Sequence, residues 1–143
     1  MRYTDWIIPE LRALRLRRDA LRSGEERLKV LEARVGRIRS SLDLKQPGGS
    51  GDNAVEESMI NDLAERELLE RQLRRTYEDV RWVEDGLAAL CAEDRRVLDL
   101  FFVRHAGILA VMDELHVEQS EAYRRKNAAL IRLAMAMIGR AEV

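Results

Sequence analysis

The chain has 143 residues, of which 36% are charged and only 5% are aromatic, and it contains two prolines. This composition is typical of long exposed helices and coiled coils, and it argues against a β-sheet protein. With one cysteine and two histidines, the sequence offers no disulfide framework and no Cys/His metal site, so we expect neither a metal nor a cofactor.

The amino-terminal sequence "MRYTDWIIPELRALRLRR" places charges directly around a short apolar patch. The sequence contains no run of about 18 apolar residues, the length that a membrane span requires. We therefore expect neither a secretory signal nor a membrane partner, and a cytoplasmic location.

The net charge of -1 hides an uneven distribution along the chain. Residues 1–45 carry 12 basic and 7 acidic residues, residues 46–92 carry 5 and 11, and residues 93–143 carry 8 and 8. A basic segment followed by an acidic one favours two elements that lie against each other. The profile is not the uniformly basic one of a non-specific nucleic-acid binder.

Apolar residues in the first half of the chain recur every seven residues, which is the spacing of a coiled-coil seam. We expect one long helix over residues 4–43, weakened near "RSGEE" by Gly24. The expected seam consists of Ile7, Leu14, Leu21, Leu28, Val35 and Leu42, with Leu31 and Ile38 at the second position of the later heptads.

The Pro/Gly/Ser-rich stretch "KQPGGSGDN", residues 45–53, predicts a loop. Helical spacing resumes after it, so residues 1–86 are expected to form a long antiparallel helical hairpin. Its basic first arm would pair with its acidic second arm. The inward face of the second arm is expected to contain Met59, Leu63, Leu73, Tyr77, Val80, Leu87 and Leu90.

Several large apolar residues lie off this seam and need another surface to cover them. We expect that surface to be a second copy of the chain, which gives a homodimer through the hairpin. The alternative is that these residues pack on the carboxy-terminal helices of the same chain. They are Trp6, Ile8, Leu16, Leu44, Ile60, Leu68, Leu69 and Trp82.

Residues 87–143 predict a three-helix helix-turn-helix module, which completes an all-α fold. The segment "EDRRVLDLFFVRHAG" begins with acids suited to a helix N-terminus and is punctuated by Gly107. "ILAVMDEL" predicts a helix of about two turns, and "HVE" predicts a turn in which Val117 is buried. A long final helix is expected to bury Ala122, Ala129, Leu130, Leu133 and Met137.

The segments "LAALCAEDRRVLDLFF", "ILAVMDELHV" and "EAYRRKNAALIRL" resemble the fourth region of bacterial sigma factors. The order of a charged hairpin, a Gly-rich interruption and this module is similar to phage and prophage transcriptional regulators of the RinA/ArpU type. The sequence departs from that pattern at the turn. His116 stands where the family has Gly, Glu118 where it has a Ser or Thr cap, and Glu121 where Thr or Arg is common. Histidine adopts positive φ more readily than most other residues, so we expect the turn to be kept.

The resemblance implies double-stranded DNA as a partner, with RNA polymerase as a second one. Gln119 would bond adenine edges, and Arg124 would hold guanine or phosphate. Glu121 would accept a hydrogen bond from a cytosine amino group. Further contacts, chiefly to phosphate or sugar, would come from Ser120, Tyr123, Arg104, Arg125 and Lys126.

The leading hypothesis is a phage-type DNA-binding transcriptional regulator that dimerises through its coiled coil. The alternative is a protein-interaction adaptor with a degenerate helix-turn-helix, because Glu118 and Glu121 lie where DNA phosphates would approach. A phage DNA-packaging small subunit combines similar parts, but those proteins usually place the DNA module first. We expect no enzyme, since the sequence shows no phosphate loop, no nucleophile with a base partner and no metal-ligand set.

Overall fold

The computed structural model describes residues 4–44 and 52–141 of the chain, with side chains for residues 4–40 and 54–139. Within these ranges the protein consists of helices and their connections, without a strand, which confirms the predicted all-α class. The elements are α1 (Ile7–Leu44), α2 (Asp52–Ala88), α3 (Ala92–Leu98), a π-helical turn (Asp99–Val103), α4 (Ile108–Leu115) and α5 (Gln119–Ala141).

Helices α1 and α2 form the predicted antiparallel hairpin. They contain 38 and 37 residues, so each is about 55 Å long at 1.5 Å per residue. Because α2 begins at Asp52, the last two residues of the predicted loop are helical. The rest of that loop, residues 45–51, lies outside the described residues.

Burial along α1 confirms its predicted seam. Helix α1 also runs without interruption through Gly24, where a weak point was expected. A Cβ atom at this position would collide with the side chain of Leu73, so Gly24 allows α2 to approach closely. Four seam residues are buried (Ile7, Leu14, Leu31 and Val35) and three are half-buried (Leu21, Leu28 and Ile38). The side chain of the last seam residue, Leu42, and that of the off-seam Leu44 lie outside the described ones.

The inward face of α2 matches the prediction except at Tyr77, which is 52% exposed. In the heptad pattern that contains Leu73 and Val80, the position between them that faces α1 is Thr76, which is half-buried. Tyr77, the next residue, therefore lies at the side of this face. Val83, which was not predicted to be inward, is fully buried at the next position of this spacing. The other predicted residues are buried (Val80 and Leu90) or half-buried (Met59, Leu63, Leu73 and Leu87).

Ion pairs between the arms confirm that the basic first arm pairs with the acidic second arm. Arg18 Nε lies 2.7 Å from Glu84 Oε1, and Arg27 Nη2 lies 2.8 Å from Glu65 Oε1. A third arginine, Arg34, reaches the buried Asp62 at 3.4 Å. The charge asymmetry of the sequence therefore corresponds to contacts across the hairpin.

The two tryptophans that were expected to need an outside surface cover each other instead. The rings of Trp6 and Trp82 stack with their centroids 5.7 Å apart and their planes at 22°. Leu16, Ile60 and Leu68 remain 73%, 63% and 57% exposed. The apolar surface available for a partner is therefore smaller than the sequence predicts.

The chain forms two compact units, of which one comprises residues Asp19–Tyr77 and the other the remaining described residues. In the second unit, α3 and α4 both pack against α5. A small core of Leu100, Val111 and Ala122 lies between these elements. Around that core pack five partly buried residues: Phe101, Ala106, Ile108, Leu115 and Val117. The predicted division of the chain into residues 1–86 and 87–143 stays a prediction.

Helix α3 continues directly into the π-helical turn, which the sequence did not predict. The amide of Arg104 donates to the carbonyl of Asp99, five residues earlier, at 2.8 Å. The chain then reverses at His105, which has a φ of 52°. Gly107, the expected break, has an ordinary φ of -67° and stands at the start of α4.

Candidate nucleic-acid interface

The connection between α4 and α5 is a short turn that begins at His116. This residue has φ 54° and ψ 45°, the left-handed conformation that the sequence predicts for it. The amide of Val117 donates to the carbonyl of Met112 at 3.2 Å, which closes the end of α4. Helix α5 therefore begins at Gln119, and Glu121 stands at its third position.

The predicted contact residues at the start of α5 share one stretch of helix, and the structure brings most of them to the surface. Residues 118–126 contain three basic and two acidic residues, so this surface carries only a small positive charge. Gln119, Ser120, Tyr123 and Arg124 are exposed, while Glu121, Arg125 and Lys126 are half-buried.

Glu121 accepts hydrogen bonds from two arginines of its own helix. Its Oε2 lies 2.8 Å from Arg124 Nε, and its Oε1 lies 2.5 Å from Arg124 Nη2 and 3.2 Å from Arg125 Nε. The hydrogen bond from Arg124, followed by that from Arg125, lowers the pKa of Glu121 from 4.5 to about 2. The same pairing raises the pKa of Arg124. The carboxylate therefore stays charged at neutral pH.

Tyr123 and Lys126 belong to a cluster that includes Phe101 of the π-helical turn. The rings of Phe101 and Tyr123 lie 6.0 Å apart between centroids. Lys126 Nζ lies 4.9 Å from the centroid of Tyr123 and 5.6 Å from that of Phe101, within the range of cation–π attraction. This cluster attaches the first turns of α5 to the π-helical turn. Helical spacing contains no signal for this contact of Phe101 with α5.

Arg104, the remaining predicted contact, lies just beyond the π-helical turn rather than on α5. Its Nε is 2.8 Å from Oδ2 of Asp99, and its side chain is 63% exposed. The structure thus gives Arg104 an acidic neighbour of its own.

One ion pair and one hydrogen bond to a backbone carbonyl, neither predicted from the sequence, link the three helices around this surface. Arg132 of α5 donates to both carboxylate oxygens of Asp94 in α3, at 2.5 Å and 2.8 Å. Arg96 of α3 donates to the carbonyl of Glu114 in α4 at 3.2 Å. These partners are far apart in sequence, so helical spacing contains no signal for them.

Comparison with protein-family models, curated proteins and solved structures finds no match to this chain. Within the described residues, none of the helices is both long enough and apolar enough to cross a bilayer. The same part of the chain contains no group of three or more His, Cys, Asp or Glu side chains that could hold a metal ion.

Proposed function

We propose that the protein is a phage-type DNA-binding transcriptional regulator that dimerises through its helical hairpin and reads a promoter element with α5. The observation that supports the proposal is the order of elements: α4, the turn at His116 and then α5. Polar residues are exposed on the first turns of α5. A helix whose N-terminal residues are polar and exposed after such a turn has the form of a recognition helix that enters the major groove.

The side chains at this position have the chemistry that base and phosphate contacts require. The amide of Gln119 can pair with adenine, and the guanidinium of Arg124 can pair with guanine or phosphate. Ser120 and Tyr123 carry hydroxyl groups that can donate to phosphate oxygens. RNA polymerase is part of the same proposal as the second partner of a promoter-bound regulator.

The small net charge of this surface gives the proposal a specific consequence. Each phosphate contact adds to the salt dependence of binding, with a slope of about -0.9 per neutralised charge. With Arg104, Arg124 and Arg125 each paired with a carboxylate, few cations are available to contact phosphates. We therefore expect low affinity for one module and useful affinity only for a dimer bound to two half-sites.

The test is selection of duplexes from a random-sequence DNA library by the full-length protein at low and at physiological ionic strength. We expect one enriched motif, and we expect Arg124→Ala to weaken binding to it by about 1–3 kcal/mol. Arg71→Ala is the matched control, because Arg71 is an exposed arginine of α2 that is also paired with a glutamate, Glu67, at 2.7 Å. Absence of enrichment at either ionic strength would contradict the proposal.

A protein-interaction adaptor is the second candidate, and the pairing of Glu121 with both arginines favours it. An acid that occupies Arg124 and Arg125 reduces what they offer to phosphates. An adaptor would bind purified RNA polymerase without DNA, and Arg124→Ala would leave that binding unchanged. A regulator would need the promoter duplex for a stable complex with the polymerase.

A further inference from the structure

The geometry points to Glu121 as a positioning residue that holds Arg124 for guanine and turns it away from phosphate. This inference rests on the proposed function, and it gives Glu121 a role different from the direct cytosine contact that the sequence suggests. The role is indirect, because Glu121 acts through the guanidinium of Arg124.

The carboxylate of Glu121 engages one defined edge of that guanidinium. Arg124 Nε and Nη2 donate to Glu121 Oε2 and Oε1 at 2.8 Å and 2.5 Å, which is the two-bond arrangement of a forked arginine–carboxylate pair. Arg125 Nε donates to the same Oε1 at 3.2 Å. Glu121 Oε1 thus accepts two hydrogen bonds and Oε2 accepts one.

The other edge of the guanidinium remains available. An arginine has five N–H groups in a rigid plane, so the fork with Glu121 leaves the donors on Nη1 and the second donor on Nη2. One of the Nη1 donors and the remaining Nη2 donor are parallel, and this pair matches the O6 and N7 acceptors that guanine presents in the major groove. The side chain of Arg124 is 69% exposed, so a base edge can reach it.

The charge of Glu121 separates guanine from phosphate as the target of Arg124. A phosphate that approached Arg124 would also approach this carboxylate, and the two negative charges would repel. The guanine edge carries no net charge and meets no such penalty. Holding the flexible arginine in place before binding also reduces the side-chain entropy lost on contact. The pair therefore lowers the affinity for DNA in general and raises the preference for guanine at one position.

The experiment compares the full-length protein with Glu121→Gln in selection from the random-sequence duplex library. We expect the wild-type protein to require guanine at one position, with roughly 10-fold or greater preference, the order of a bidentate base contact. Glu121→Gln should reduce that preference at least several-fold while affinity for unrelated duplex stays equal or rises. Glu118→Gln, which removes the same charge three residues earlier, should keep the guanine preference. A merely structural role would lower binding to all duplexes alike.

A second measurement follows the arginine without DNA. The Nε–H signal of Arg124 in NMR spectra of the free protein should exchange slowly with water and should shift in Glu121→Gln but not in Glu118→Gln. An unchanged signal in Glu121→Gln would overturn the inference. If a motif is selected and Glu121→Gln keeps the full guanine preference, the inference about Glu121 is wrong while the proposed function stands. If no motif is selected, both the proposed function and the inference are wrong.

Discussion

The ion pair between Asp94 and Arg132 is the residue-scale contact that joins α3 to α5. Asp94 is only 7% exposed, so its carboxylate has lost most of its water and needs donors from the protein. Arg132 supplies two, and its hydrogen bond is the main cause that lowers the pKa of Asp94 below 3.8, against the opposing effect of desolvation. This pair therefore links α3 to α5 in addition to their apolar packing.

We expect Asp94→Asn to lower the free energy of unfolding by about 1–3 kcal/mol at neutral pH, because it leaves Arg132 without its charged acceptor. Because the pKa of Asp94 is lowered in the folded state, its carboxylate stabilises the protein fully at pH values above its ordinary pKa of 3.8. That stabilisation is lost as the pH falls through the lower folded-state pKa. Urea unfolding followed by circular dichroism across this pH range measures the difference.

The control is Arg71→Ala, which removes an exposed pair of α2 and should change stability by less than about 1 kcal/mol. The difference between wild type and Asp94→Asn should narrow as the solution becomes more acidic than pH 3.8. A difference that stays constant into strong acid would show that the charge of Asp94 does not stabilise the fold.

At the scale of elements, two glycines in long helices occupy opposite environments. A Cβ atom at Gly86 of α2 would lie 2.6 Å from Met137 Cγ and 3.0 Å from Leu133 Cδ1, both on α5. A Cβ atom at Gly36 of α1 would meet no atom within 4 Å. Gly86 therefore permits the close approach of α2 and α5, while Gly36 only weakens its helix.

Replacement of each glycine by alanine separates packing from helix propensity. Gly86→Ala should destabilise the protein by about 1–3 kcal/mol, because Met137 and Leu133 are buried and have little room to move. Gly36→Ala, the matched control, should stabilise it by up to about 1 kcal/mol, because alanine is the better helix former. Thermal unfolding of the two variants beside the wild type measures both effects. A stability gain in Gly86→Ala would mean that α2 and α5 are less closely packed than described.

At the scale of the whole molecule, α2 carries an exposed apolar stripe. Ile60, Ala64 and Leu68 are spaced four residues apart, so they follow one side of the helix, and all three are exposed. Ile60 and Leu68 are 63% and 57% exposed, which is unusual for side chains of this size. Among the described residues of the predicted dimer surface, Ile60 and Leu68 of this stripe stay exposed together with Leu16 of α1.

We expect sedimentation to show a dimer for the wild type and a monomer for the double variant Ile60→Glu with Leu68→Glu. The helical content of the double variant should be unchanged, because both side chains are already largely exposed. Leu109→Glu serves as the control, since Leu109 is 79% exposed on α4, outside the hairpin. A wild-type monomer at high concentration, or a dimer that survives the double substitution, would contradict dimerisation through this stripe.

The sequence by itself determined the helices and most of their buried faces. Helical spacing depends on neighbours a few residues away, and so the bounds of α4 and the seam of α1 could be predicted from periodicity alone. The left-handed turn at His116 was expected because His116 stands where the resembled family has Gly, and histidine adopts positive φ more readily than most other residues. The candidate contacts on α5 came from the resemblance to sigma-factor region 4, and their role stays a proposal.

Only the tertiary structure decided which partners these residues have. Three contacts join positions that no local spacing connects: Trp6 stacks on Trp82, Asp94 pairs with Arg132, and Phe101 lies beside Tyr123. The fork between Glu121 and Arg124 spans only three residues, yet spacing alone offers each side chain several rotamers and partners. Packing and charge in three dimensions select one rotamer and one partner for each side chain. For this reason Glu121, whose charge argued against DNA binding in the sequence, is in our proposal the residue that orients Arg124.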